Sequence, residues 1–139
     1  MKTILVIDDD PAVLQSYGRL LGRLGHQVVL VAECDRLQRD PGLLGTADLL
    51  IVDQRMPGAT GLDLVAALRR RQPWIGATGG GPVVLLVSGF LSEDLRLRAA
   101  RLGVTGVIEK PVNPHLLLQM VRDALADAHP DGAPPSAHS

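Results

Sequence analysis

The sequence predicts an α/β domain, a doubly wound parallel five-stranded sheet, and three observations carry that reading. Short aliphatic runs recur along the chain as ILVI (4–7), VVLVA (28–32), DLLIV (48–52), VVLLV (83–87) and GVIE (106–109). The first four are continuous rather than alternating, as expected of strands covered on both faces. Amphipathic segments separate them, giving five βα units in series. Such units lay helices on both faces of a parallel sheet through right-handed crossovers.

Each helix has its own signals. The first starts at Asp10-Pro11, an N-cap acid followed by proline at the first helical position. Val13, Leu14, Tyr17, Leu20, Leu21 and Leu24 then share one face, and Gly25 ends the segment. A second, weaker segment spans 35–44 and is interrupted by Pro41-Gly42. A third runs from Gly61 or Leu62 to Arg71. The fourth, 92–102, has Ser92 as cap and Glu93 and Asp94 in the first turn, where the helix dipole favours acids. Asn113-Pro114 repeats the first start signal ahead of Leu116, Leu117, Met120, Val121 and Leu125.

At 139 residues the chain has the size of one domain, here taken as 1–129, with a disordered Pro- and Ser-containing tail over 130–139. Nearly half the residues are apolar, yet Tyr17, Trp74 and Phe90 are the only aromatics, so the core is aliphatic. A net charge of -1 gives no sign of a nucleic-acid or membrane surface. Cys34 is the sole cysteine, which excludes an internal disulfide and fits a reducing cytoplasm. The start MKTILVIDDD turns acidic too soon for a signal peptide, and no apolar run is long enough to cross a bilayer. The Gly-rich stretch WIGATGGGP (74–82) lacks the Gly-Lys-Ser/Thr ending of a phosphate-binding loop and reads as a connection.

In an open parallel sheet, ligands bind beyond the carboxyl ends of the strands. The first strand ends in Asp8-Asp9, the third in Asp53, the fourth in Ser88 and the fifth in Lys110. Singly, these are a solvated acid pair, a turn-starting Asp, a Ser-Gly turn and a surface lysine. Together they converge on one edge, where the clustered acids repel one another and call for a cation. Mg²⁺ suits carboxylates, waters and phosphate oxygens. A carboxylate is also a nucleophile toward phosphorus, and phosphoryl transfer needs mainly positioning and charge neutralisation. Asp53 as attacker, with Lys110, Ser88 and a backbone amide on the phosphoryl oxygens, would supply that, and Gly89 would leave room for the group.

These residues resemble the receiver domains of two-component response regulators. VIDDD (6–10), VDQRMPGATG (52–61), VSG (87–89) and EKP (109–111) carry the likeness, which spans 3–128. The resemblance implies a flavodoxin-like (βα)₅ fold with strand order 2-1-3-4-5. It implies that Asp53 accepts a phosphoryl group from a phosphohistidine on a sensor kinase or phosphotransfer protein. Asp9 would hold Mg²⁺ directly, Asp8 directly or through water, with Asp53 and the Arg55 backbone carbonyl completing the protein ligands. Ser88, Gly89 and Lys110 would contact the phosphoryl group, and Lys110-Pro111 would be a cis peptide. A stand-alone cytoplasmic receiver of this kind would signal through a downstream protein, with a homodimer allowed, no nucleic acid and no membrane insertion.

The pattern departs from the family at Val107, three positions before the lysine, where an aromatic switch residue is usual. Phe90 is a substitute for it or a plain loop residue. Arg96, Arg98 and Arg101 form a docking face or a solvated helix surface, and Arg69, Arg70 and Arg71 pose the same choice. Two other readings compete. An aspartyl phosphatase would carry a second acid two residues after Asp53, where Arg55 stands. A pseudo-receiver would bind partners without phosphorylation.

Overall fold

The computed structural model describes residues 1–33, 36–40, 42–71 and 81–127. Cys34, most of the Gly-rich connection and the expected tail lie outside them. In chain order the elements are β1 (Thr3–Ile7), α1 (Pro11–Gly22), β2 (Gln27–Val31), α2 (Arg36–Arg39), α3 (Gly42–Thr46), β3 (Leu49–Asp53), β4 (Arg55–Met56), β5 (Ala59–Thr60), α4 (Gly61–Arg71), β6 (Val83–Ser88), α5 (Glu93–Arg101), β7 (Gly106–Glu109) and α6 (Pro114–Asp127). The five long strands form one parallel sheet in the order β2-β1-β3-β6-β7. This is the 2-1-3-4-5 order once the short β4–β5 pair, a separate two-stranded sheet, is set aside.

Successive side chains of a strand point to opposite faces, and the core divides accordingly. Leu5, Ile7, Leu50, Val52, Val84 and Leu86 pack with Leu37, Leu44, Leu62, Val65, Leu68, Leu95 and Ala99, on the side covered by α2 to α5. Ile4, Val6, Leu49, Ile51, Leu85 and Val87 pack with Leu14, Tyr17, Leu21, Leu117, Val121 and Leu125, under α1 and α6. Two-sided burial explains the continuous aliphatic runs of β1, β3 and β6. β2 is an edge strand, exposed at Gln27 and half-buried from Val28 to Leu30, yet Val29 and Val31 pack on one core cluster and Val28 and Leu30 on the other, so its run too marks coverage on both faces.

The helix starts follow the sequence. The Asp10 side chain accepts the Ala12 N–H at 2.9 Å, that of Ser92 accepts Leu95 N–H at 3.1 Å, and that of Asn113 accepts His115 N–H at 2.9 Å. The first helix stops at Gly22, two residues before the expected Leu24, and Gly25 then turns the chain with φ of 80°. The weak second segment is two short helices, α2 and α3, on either side of Pro41, and it extends to Thr46. Proline removes a backbone donor and clashes with the preceding turn, so one continuous helix is not available to this sequence. No helix among the described residues is long and apolar enough to cross a membrane.

Leu50 lies on the central strand with no exposed surface. Leu50→Ala should cost about 2–5 kcal/mol. Urea unfolding checks this, and a loss below about 1 kcal/mol would contradict the packing described.

Candidate functional site

The sheet order changes direction at β1 and β3, so the crevice beyond their carboxyl ends is the place to look for a ligand. Asp8 follows β1 directly, Asp53 is the last residue of β3, Ser88 is the last of β6, and Lys110 follows β7. Asp8, Asp53 and Ser88 are 3%, 6% and 4% exposed, and they are the only buried polar side chains among the described residues. Burying three polar side chains together at one edge is costly, and that edge has a chemical reason.

The geometry is tight. Carboxylate oxygens of Asp8, Asp9 and Asp53 all lie within 4.8 Å of one another, with Asp9 exposed and the other two buried. Lys110 Nζ donates to Asp53 Oδ2 at 2.9 Å, and the Arg55 backbone N–H donates to Asp53 Oδ1 at 3.2 Å. Asp8 Oδ1 accepts the Asp10 N–H at 2.9 Å. These acids and Lys110, with Arg55 and Met56, border a crevice of about 410 Å³.

Burial pushes the Asp8 carboxyl up to about 6, and the neighbouring Asp53 adds to the rise, against the Asp10 N–H and Lys110, which lower it. The Tyr17 hydroxyl, buried below the site, is pushed up to about 12 by its burial and by the same two carboxylates. An all-oxygen, anionic donor set with one cation to offset it fits a hard divalent ion such as Mg²⁺. Arg55 lines the same crevice.

The Ser88 hydroxyl is engaged by its own loop. Its Oγ donates to the Phe90 carbonyl at 2.6 Å and accepts the Phe90 N–H at 3.2 Å. A Cβ at Gly89 would meet no protein atom within 4 Å. The Lys110-Pro111 peptide is cis. Val107 is half-buried and packs on the core cluster of the α2–α5 side. Arg96, Arg98 and Arg101 are exposed on α5, and Arg69 donates from Nη1 to the Arg101 carbonyl at 3.5 Å.

The segment that follows Asp53 holds what sequence reasoning missed. Arg55–Met56 pairs antiparallel with Ala59–Thr60 across Pro57-Gly58, and Gly58 has φ of 80°, as a type II turn requires. Gln54 ties this hairpin down: its N–H donates to Val87 O at 2.8 Å, its carbonyl accepts Gly61 N–H at 2.9 Å, and its Oε1 accepts Leu62 N–H at 2.9 Å. Thr60 and Asp63 form a reciprocal capping box at 3.1 Å in both directions, which holds the Asp63 carboxyl below its ordinary value. At Gly61 a Cβ would lie 2.5 Å from the Asp53 carbonyl oxygen, so only glycine fits. The TGLD spacing is a visible capping signal. The Gly61 contact has no local signal, because the crowding atom is eight residues upstream.

A doubly wound α/β domain with buried acids and a lysine at its switch point is the class that fold and site define. The chain belongs to the response regulator receiver domain family, whose description matches residues 4–122. It is 33% identical to the transcriptional regulatory protein FixJ of Bradyrhizobium diazoefficiens, over 91% of this chain and 58% of that protein. It is 31% identical to the DNA-binding transcriptional regulator NtrC of Azospirillum brasilense, over 96% of this chain and 26% of that one. It thus spans well under two thirds of these relatives. Among solved structures, the CheY-like receiver domain protein of Methanospirillum hungatei superposes with a TM-score of 0.77 at 26% identity, covering 92% of this chain and 96% of that one. Chemotaxis protein CheY4 of Vibrio cholerae gives 0.76 at 25% identity, over 89% and 98%.

Two outcomes follow from this geometry. Gly61→Ala should cost about 2 kcal/mol or more, because backbone rather than a flexible side chain must yield. A melting temperature unchanged from wild type would contradict it. Asp8→Asn should stabilise the metal-free protein at pH 7.5. A carboxyl raised in the folded state contributes stability below its unfolded value near 4 that is lost as pH rises through about 6. The asparagine variant should therefore melt higher at pH 7.5 and match wild type near pH 4. Equal melting temperatures at both pH values would refute the assignment.

Proposed function

We propose that this domain is a phosphoacceptor: Asp53 takes a phosphoryl group from a phosphohistidine on a sensor kinase or phosphotransfer protein, and the modified domain signals by contact with another protein. The observation that carries the reading is the gathering of the described residues' only buried polar side chains at one edge, with Lys110 2.9 Å from Asp53. One Asp53 carboxylate oxygen attacks phosphorus while the phosphorus–nitrogen bond breaks, and the imidazole nitrogen leaves with that electron pair. Lys110 already lies against Oδ2 and moves with little displacement onto a phosphoryl oxygen. Ser88 Oγ donates to another after it leaves the Phe90 carbonyl. Asp8, Asp9, Asp53 and the Arg55 carbonyl would hold Mg²⁺, which supplies charge neutralisation on the phosphoryl oxygens when bound. The chain's own carboxylates orient that charge, and the β4–β5 hairpin keeps the crevice open beside Asp53.

The domain turns over no separate substrate in this reading. Arg55 stands where an aspartyl phosphatase would carry its proton-donating acid, so leaving-group protonation has no candidate there. Family membership and likeness to CheY-like receivers support the signalling role. Asp53→Asn retains shape and loses the nucleophile.

Intact-protein mass after acetyl phosphate and Mg²⁺ tests the proposal. One phosphoryl adduct is expected, absent in Asp53→Asn and in a chelated sample. No adduct, even with active sensor kinases present, would leave a module that binds partners unmodified. Arg55 and Phe90 flank the approach of water to the acyl phosphate. Arg55→Ala and Phe90→Ala should each speed adduct decay by roughly two- to tenfold, or up to about 1.4 kcal/mol of barrier. Decay curves that overlay wild type for both variants would disprove this role.

A further inference from the structure

A groove of about 840 Å³ runs between the β4–β5 hairpin and α5, with Met56, Ala59 and Leu95 among its apolar walls and Arg55, Arg98 and Lys110 as its cations. Lys110 is taken up by Asp53. The acids on the groove are engaged as well: Asp63 accepts the Thr60 N–H at 3.1 Å, and Asp94 lies in the first turn of α5, where the helix dipole favours it. Arg55 and Arg98 are exposed and have no ion-pair partner among the described residues. The row of arginines continues past the groove. Arg101 lies three residues on from Arg98, on the same flank of α5, and Arg69 of α4 reaches across to the Arg101 carbonyl at 3.5 Å.

Helix capping accounts for only part of this row. Arg98 and Arg101 offset the dipole at the end of α5, but Arg55 belongs to no helix. The Arg69 Nε is buried without an acceptor, the one side-chain donor so placed among the described residues. A buried donor without a partner is costly, and a carboxylate taken side-on by Nε and Nη would supply two charge-assisted bonds. The whole chain carries a net charge of -1, so the excess of cations is local to this flank, and a long polyanion would meet repulsion elsewhere. We propose that this flank of α4 and α5 docks an acidic, extended segment of a partner protein. Alternate side chains of an extended segment point to opposite sides. Apolar ones would lie against Met56, Ala59 and Leu95, and carboxylates would meet Arg55, Arg98, Arg101 and Arg69. The proposal deepens the functional reading above and rests on its claim that the domain signals by contact with another protein.

Fluorescence polarisation of the full chain with a short fluorescein-labelled peptide of alternating glutamate and leucine tests the proposal. The peptide should bind at least about tenfold tighter than its glutamine–leucine counterpart, and high salt should remove most of that margin. Arg98→Glu with Arg101→Glu should weaken binding by about tenfold or more. Arg19→Glu with Arg122→Glu makes an equal charge change at exposed positions of α1 and α6 and should leave binding within about twofold of wild type. Melting temperatures show that the variants are folded, and Arg98→Gln, which adds no charge, should still weaken binding about threefold. Equal binding of the two peptides overturns the proposal. So does an equal loss in both variant pairs, which reports net charge alone. Tighter binding of a single-stranded oligonucleotide of matched length and label assigns the arginines to nucleic acid and overturns it too. Intact mass after acetyl phosphate and Mg²⁺, read on the same preparation, keeps the outcomes apart. Adduct without peptide binding ends this inference and leaves Asp53 as phosphoacceptor, whereas peptide binding without adduct ends the phosphoacceptor reading and leaves the docking surface.

Discussion

Charge crowding at the end of β1 and β3 is the constraint on which the rest of this domain depends. Asp8 and Asp53 are buried with carboxylate oxygens close together, and Asp9 adds a third acid at the rim. Like charges in a low-dielectric site destabilise one another, and Lys110 answers them directly, at 2.9 Å from Asp53. Every strand contributing to the site is therefore under orders from its last residue. β1, β3, β6 and β7 have to end level with one another, because their polar tips must meet. The two aliphatic layers under α1 and α6 and under α2 to α5 supply the stability that an unfavourable edge requires.

Most of the fold was legible because its signals are local. Continuous aliphatic runs mark strands covered on both sides, and Asp-Pro, Asn-Pro and Ser-x-x-Asp patterns mark helix starts through capping and the helix dipole. The errors lie where tertiary context decides. The first helix stops at Gly22 although Leu24 continues its apolar face. The segment around Pro41 splits, which its proline announced, but its length was set by Leu37 and Leu44 finding the core.

The site was legible in a different manner. Asp8, Asp9, Asp53, Ser88 and Lys110 stand out because each terminates an apolar run, and parallel topology delivers all such ends to one edge. The loop that frames them was read only as a turn. Its order depends on Gln54, whose backbone and side chain make three bonds to partners on two elements. Nothing in the immediate sequence distinguishes that glutamine from a solvated one.

Gly61 has an implication for anyone moving this chemistry to another scaffold. Its missing Cβ admits the Asp53 carbonyl, and its N–H meets the Gln54 carbonyl at 2.9 Å. The carboxylate is thus set by a helix start that lies eight positions later in the chain. A graft that transplants only the acids, the serine and the lysine would carry the functional groups without their jig. The smallest portable unit is the unbroken segment from Asp53 to Asp63, which contains the hairpin, the capping box and the glycine that lets strand and helix touch.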